Sequence, residues 1–152
     1  MRPRPRLRLN TGRLRPQFKL ADSAQQLVGG FLLAGPFVVT EEVWVLAGSM
    51  SHLQGALTVL LVGLIGYAAL YRADTKRDPD TEQQVAGVPI RFISLMAVSF
   101  GSVTILALVF AAPTTFLEEG LSTLVLVETT FKAISVGSVF SVVGAATADS
   151  IF

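Results

Sequence analysis

The sequence predicts an all-α polytopic membrane protein with four transmembrane helices and both termini cytoplasmic. Three observations predict it. The chain is 51% hydrophobic and only 15% charged, with the charge concentrated in the first 22 residues and in one loop. Four apolar runs of roughly 20 residues or more remain, the length that crosses a ~30 Å hydrocarbon core. The 12 Lys and Arg residues sit almost entirely on alternate polar segments, which is the pattern that fixes orientation in a bilayer.

Two units follow: a basic cytoplasmic tail over 1–22, and a four-helix transmembrane domain over 23–152. The tail carries Arg2, Arg4, Arg6, Arg8, Arg13, Arg15 and Lys19 before the first acid, Asp22, and Pro3, Pro5 and Pro16 oppose a helix through it. A nucleic-acid arm has a similar composition. This one leads straight into a membrane span, so the expected partner is anionic lipid, at about 1 kcal/mol per basic residue near the surface, and no nucleic acid.

Span one is expected over about 26–48. Val45-Leu46-Ala47 resembles a signal-cleavage site, but the apolar region ahead of it is longer than the 7–15 residues of a signal core, so an uncleaved span is expected. Pro36 removes a backbone bond to the Leu32 carbonyl and predicts a kink there. A tight turn with Ser49, Ser51 and His52 leads to span two, about 53–71. A polar loop of mixed sign follows, containing Arg72, Asp74, Lys76, Arg77, Asp78, Asp80 and Glu82. Span three covers about 89–112, with Pro89 at a favoured early helical position and Pro113 ending it. Glu118 and Glu119 lie in the next connection, and span four covers about 121–146. Gly55, Gly63 and Gly66 in span two, Ala97, Gly101 and Thr104 in span three, and Thr130, Gly137, Ser141 and Gly144 in span four mark close helix approach in lipid.

Seven basic residues in the tail and four around the loop (Arg72, Lys76, Arg77, Arg91), against none in the two opposite connections, put the tail and loop in the cytoplasm. The acids gather on the other side. Glu41 and Glu42 lie ~22 Å along span one at 1.5 Å per residue, and Glu128 ~10 Å into span four. An ionised carboxylate costs about 2.5–3.5 kcal/mol in hydrocarbon even on insertion scales, so these acids need an interface, a cation or a role.

Each acid has a plain structural reading beside the functional one. Glu118 and Glu119 are solvated loop residues or the rim of an outer vestibule. Glu128 and Lys132 stand at i, i+4 with the acid first, the favourable order, and predict an intramembrane ion pair, structural or titrating. Glu41 and Glu42, with Trp44 as a belt anchor, mark either the headgroup boundary or a cation site completed by the Thr40 hydroxyl. Carboxylate, hydroxyl and carbonyl oxygens suit hard metal ions such as Ca²⁺ or Mg²⁺. Adjacent helix positions diverge by about 100°, so Glu41 and Glu42 cannot both face one axis.

Cysteine is absent and histidine occurs once, at His52, which excludes disulfides, thiolate metal sites and a cysteine nucleophile. Neither a His pair nor a convincing serine setting points to an enzyme, and no organic cofactor is expected. Four spans fill their own interior, so conduction calls for copies of the chain around an axis, one carboxylate from each. The leading expectation is a homo-oligomeric cation channel with Glu42 or Glu41 as outer selectivity ring, passing divalent cations such as Ca²⁺. The alternatives are a proton- or ion-coupled carrier using Glu128 and Lys132, and a non-transporting membrane scaffold subunit.

The run Pro36, Phe37, Val38, Thr40, Glu42 and Trp44 resembles the first-helix pattern Pro-Leu-Leu-x-Thr-x-Glu-x-Trp of an uncharacterised family of small four-span prokaryotic integral membrane proteins. The match covers roughly nine residues and the general layout. Phe-Val replaces Leu-Leu, and Glu41 falls at a position the pattern leaves free. The resemblance implies a prokaryotic inner membrane and favours Glu42 over Glu41. It implies no activity.

Overall fold

The structure, a computed structural model, describes residues 18–73 and 77–151; the lipid contact expected of the Arg-rich tail falls outside them. The described residues are all-α apart from one short hairpin. Helix α1 (Leu20–Val38) is followed by α2 (Glu41–Ser49) and α3 (His52–Tyr67), which runs on through a π turn at Ala68–Arg72. Strands β1 (Gln84–Val85) and β2 (Val88–Pro89) pair antiparallel. Helices α4 (Ile90–Val109), α5 (Ala112–Phe116) and α6 (Thr123–Ile151) complete the chain.

Among the described residues three helices are long and apolar enough to cross a membrane: His52–Arg72, Ile90–Val109 and Thr123–Ile151. Leu20–Val38 and Glu41–Ser49 pass the same test only together, as a pair bent by 80°. The four long helices run up, down, up, down. The start of α1, the end of α3, the start of α4 and the end of α6 meet at one end of the bundle, where Asp22, Tyr71, Arg91 and Asp149 are linked through shared partners. The opposite end carries α2 and α5.

Helix α6 is the central element, packing on α1, α2, α3 and α4. Small residues permit this. Gly29 and Gly144 bring the α1 and α6 backbones into contact, and a Cβ on either would overlap the other's carbonyl oxygen. Beside them Gly30 leaves room for a hydrogen bond between the Ser102 and Ser141 hydroxyls, 2.8 Å apart. Gly137 receives Val103 and Val38, and Gly66 receives Met96, Val142 and Leu95. The predicted packing role thus holds for Gly66, Gly137, Ser141 and Gly144. Gly63 and Gly101 face open space, where a Cβ would meet nothing within 4 Å.

Span one departs from its predicted form. It is not a single kinked helix over 26–48. Pro36 sits inside α1, which continues to Val38, and the chain breaks at Val39–Thr40 instead. Span three departs similarly. Its helix stops at Val109, Ala111 adopts the left-handed conformation (φ 52°), and Pro113 helps start α5 rather than ending α4. Proline fits a first helical turn because the N–H it lacks would have no partner there. The polar loop is also more than solvated chain. Ala86 (φ 53°) and Gly87 (φ 81°) both take positive φ, the geometry of a two-residue hairpin turn, and Pro89 lies in β2 as the N-cap of α4. Finally, α6 extends past the expected end of span four at about 146 to Ile151, with Ala148 and Asp149 buried.

Candidate functional site

The acid-bearing end is built around the α1–α2 break. A helix C-terminus leaves four carbonyls without intrahelical donors. Two of these are supplied from the next few residues: the Thr40 hydroxyl donates to Phe37 O at 2.7 Å, and the Trp44 indole Nε1 donates to Val38 O at 3.0 Å. Trp44 is buried, 2% exposed, and stacks on Phe116 of α5 with ring centroids 6.2 Å apart. Its expected role as a membrane-belt anchor is therefore corrected: it folds the bend shut from inside. Val43, Trp44 and Ala47 form the packed face of α2, and Val38, Ala34, Val103, Ala107, Ala112 and Ala133 complete the buried cluster they enter.

The same packing turns Glu41 and Glu42 outward. Both are exposed in the first turn of α2, where the helix dipole favours negative charge, and no hydrogen bond or ion pair ties either to another described residue. With Val45, Leu46 and Ser49 they border an open cavity of about 390 Å³. Thr40 uses its proton on Phe37 O and keeps only acceptor capacity. Among the described residues no group of three or more His, Cys, Asp or Glu could hold a metal. A Ca²⁺ ion takes six to eight oxygens, so two exposed carboxylates from one copy do not fit a closed metal site by themselves.

Glu128 and Lys132 each take another partner, which overturns the expected pair between them. Glu128 Oε1 lies 3.2 Å from Nε2 of His52, at the start of α3. Lys132 Nζ donates to the Met50 carbonyl at 2.8 Å, and its aliphatic stem lies against Gly55. Both contacts stitch the α2–α3 connection to α6. Glu118 and Glu119 are exposed in the connection after α5, as expected of either loop or vestibule residues.

The opposite end holds a buried charge cluster that the sequence reading did not assemble. Arg91, in the first turn of α4, is its hub. Its Nη1 donates to Asp149 Oδ1 at 2.7 Å, its Nε lies 3.3 Å from Glu82 Oε1, and its Nη2 lies 3.5 Å from Asp22 Oδ2. The Phe18 ring covers the guanidinium at 5.2 Å. Asp149 has a fully buried side chain; its Oδ2 accepts from Gln26 Nε2 at 3.2 Å and lies 3.7 Å from Arg77 Nη2. Gln26 accepts from Ser94, whose hydroxyl also meets Ser23. Tyr71 donates to Glu82 at 2.6 Å. Arg77 donates to Asp149 O and Ser150 Oγ, a basic cap where a helix C-terminus favours one.

This network joins α1, α3, the loop, α4 and α6 through side chains up to 123 positions apart. Two signals for it were present: Asp22 and Gln26 lie one turn apart on α1, and Asp149 is the last acid in an apolar stretch. Nothing local pairs them. No family model, curated protein or solved structure matches the chain. The fold and the two polar ends define an all-α bundle with helices able to cross a membrane, and that is the class to which the chain is assigned.

Proposed function

We propose that the chain is an integral membrane protein of four spans, α1 with α2 forming the first, which assembles with copies of itself into a cation-conducting pore. The tail and the Arg91 end face the cytoplasm, following the distribution of Lys and Arg. The membrane is a prokaryotic inner membrane, and the four-span family resembled by Pro36, Thr40, Glu42 and Trp44 is the chain's family. Supporting that kinship, three of these residues meet in one structural device: Thr40 and Trp44 close the carbonyls at the break, and Glu42 lies in the first turn of the next helix.

The observation that carries the conduction reading is the 80° bend. It holds α2 across the end of the bundle, buries Trp44, and leaves Glu41 and Glu42 uncompensated on its free face. The interior of one copy is filled by Gly and Ser contacts between α1, α4 and α6, so the route runs between copies and the acids of several α2 helices line its mouth. Several copies also supply the oxygens that two carboxylates lack for Ca²⁺. Flux into proteoliposomes tests this. Cation permeation that falls in Glu41→Gln and Glu42→Gln supports it; permeation unchanged in both variants refutes it.

A second reading, a non-transporting membrane subunit, draws on the same filled interior and on the Arg91 cluster that locks the helices together. It expects no flux under any ion gradient from correctly folded protein.

A further inference from the structure

A second cavity lies at the end of α3 nearest the Arg91 cluster. It measures about 430 Å³ and is lined by Tyr67, Tyr71, Arg72, Arg77, Asp78, Pro79 and Asp80, a size within the usual range for small-molecule sites. Its walls divide into engaged and unengaged groups. Tyr71 is held by Glu82, Arg77 by the end of α6, and the Asp78 carboxylate by the Asp80 backbone N–H at 3.0 Å. These fix the back of the cavity. The Arg72 guanidinium, the Asp80 carboxylate and the Tyr67 hydroxyl have no hydrogen-bond or ion-pair partner among the described residues. Among the described residues, an unpaired charge of each sign and an aromatic ring border one space.

A ligand that answers both charges carries an anion and a cation a few atoms apart. A phosphate would take the Arg72 fork. An ammonium would donate to Asp80 and lie against the Tyr67 ring. A primary amine suits the carboxylate better than a quaternary one, because only the primary amine has N–H donors.

The surroundings indicate the source of that ligand. Leu57, Leu60 and Leu64 are exposed at spacings of three and four residues, on the α3 stripe that ends at Tyr67. From Leu57 to Tyr67 is ~15 Å along the helix, half of a ~30 Å hydrocarbon core. An apolar track one leaflet deep therefore leads to the cavity. From these features we infer that the Tyr67–Arg72–Asp80 cavity binds a phosphoethanolamine lipid headgroup, with its acyl chains along the leucine stripe of α3. The inference rests on α3 spanning a bilayer, and is independent of whether the assembly conducts.

Native mass spectrometry of the delipidated full-length protein in detergent tests it, with dioleoyl phosphatidylethanolamine, phosphatidylcholine and phosphatidylglycerol offered in turn. The expected result is preferential retention of the ethanolamine lipid, reduced about fivefold or more in both Arg72→Gln and Asp80→Asn, each of which removes one charge-assisted contact. Neither side chain has a partner among the described residues, so the variants should melt with the parent, and the melting temperature checks that. Equal retention of the choline lipid, or unchanged retention in both variants, overturns the assignment. So does binding of free O-phosphoethanolamine as tight as that of the lipid, which would place the ligand in solution. Parent protein that retains the lipid yet passes no cation in proteoliposomes would count against conduction alone.

Discussion

Arg91 offers the sharpest test of the fold. In Arg91→Met the packing volume is largely kept, while the charge facing three carboxylates is lost. The consequence follows from burial: the side chains of Asp149 and Glu82 are 0% and 5% exposed, and that of Arg91 is 11% exposed. Removing one partner of a buried ion pair costs about 3–5 kcal/mol, because the remaining charge has neither water nor partner. Gln26 and Arg77 still reach Asp149, which places the expected loss near the low end, about 3 kcal/mol. Asp149→Leu alone should be destabilising too, since it leaves Arg91 facing only the more distant Glu82 and Asp22. The double variant Arg91→Met/Asp149→Leu should lose less than the sum of the singles, with a coupling of about 2 kcal/mol. Equilibrium unfolding in mixed micelles, followed by circular dichroism, gives all three values. A loss below about 1 kcal/mol for Arg91→Met, or strictly additive singles, would refute the claim that this cluster ties the helices together.

Other variants probe single contacts. Trp44→Phe keeps the ring in its cluster but leaves Val38 O without the indole donor, and should cost about 1–2 kcal/mol in the same unfolding assay. Gly144→Val should abolish the close approach of α1 and α6 and yield aggregated or polydisperse protein by size-exclusion chromatography. Gly63→Ala, into open space, should instead stabilise by about 0.5–1 kcal/mol through helix propensity. Ala86→Asn places a residue that tolerates positive φ in the hairpin turn, and should raise the melting temperature through a gain of about 0.5–1 kcal/mol.

The spans were legible because continuous apolar length is a local property. Residues 53–71 and 89–112 of the sequence reading lie within a few residues of His52–Arg72 and Ile90–Val109. The break in span one was not legible at its true place. Pro36 advertises a missing hydrogen bond, yet the turn is made by Trp44 reaching back six residues to Val38 O while its ring packs on α5. Tertiary contact decides that bend. The i, i+4 spacing of Glu128 and Lys132 is likewise real, but the approach of His52 and Met50 offers each a separate partner. The Arg91 cluster was hardest to foresee. Its members belong to four helices and a loop, and Asp149 lies beyond the expected end of span four, where α6 carries it inward against Arg91, 58 positions away.

The central functional claim is that α2 helices from several copies surround a common axis. The chain contains no cysteine, so Glu42→Cys introduces a single labelling site on an exposed position of α2. Pulsed electron paramagnetic resonance on the spin-labelled protein in liposomes measures distances between copies directly. The account expects a short, well-defined distance at position 42, retained when labelled protein is diluted with unlabelled parent. A signal showing only the uniform background of separate copies would contradict it.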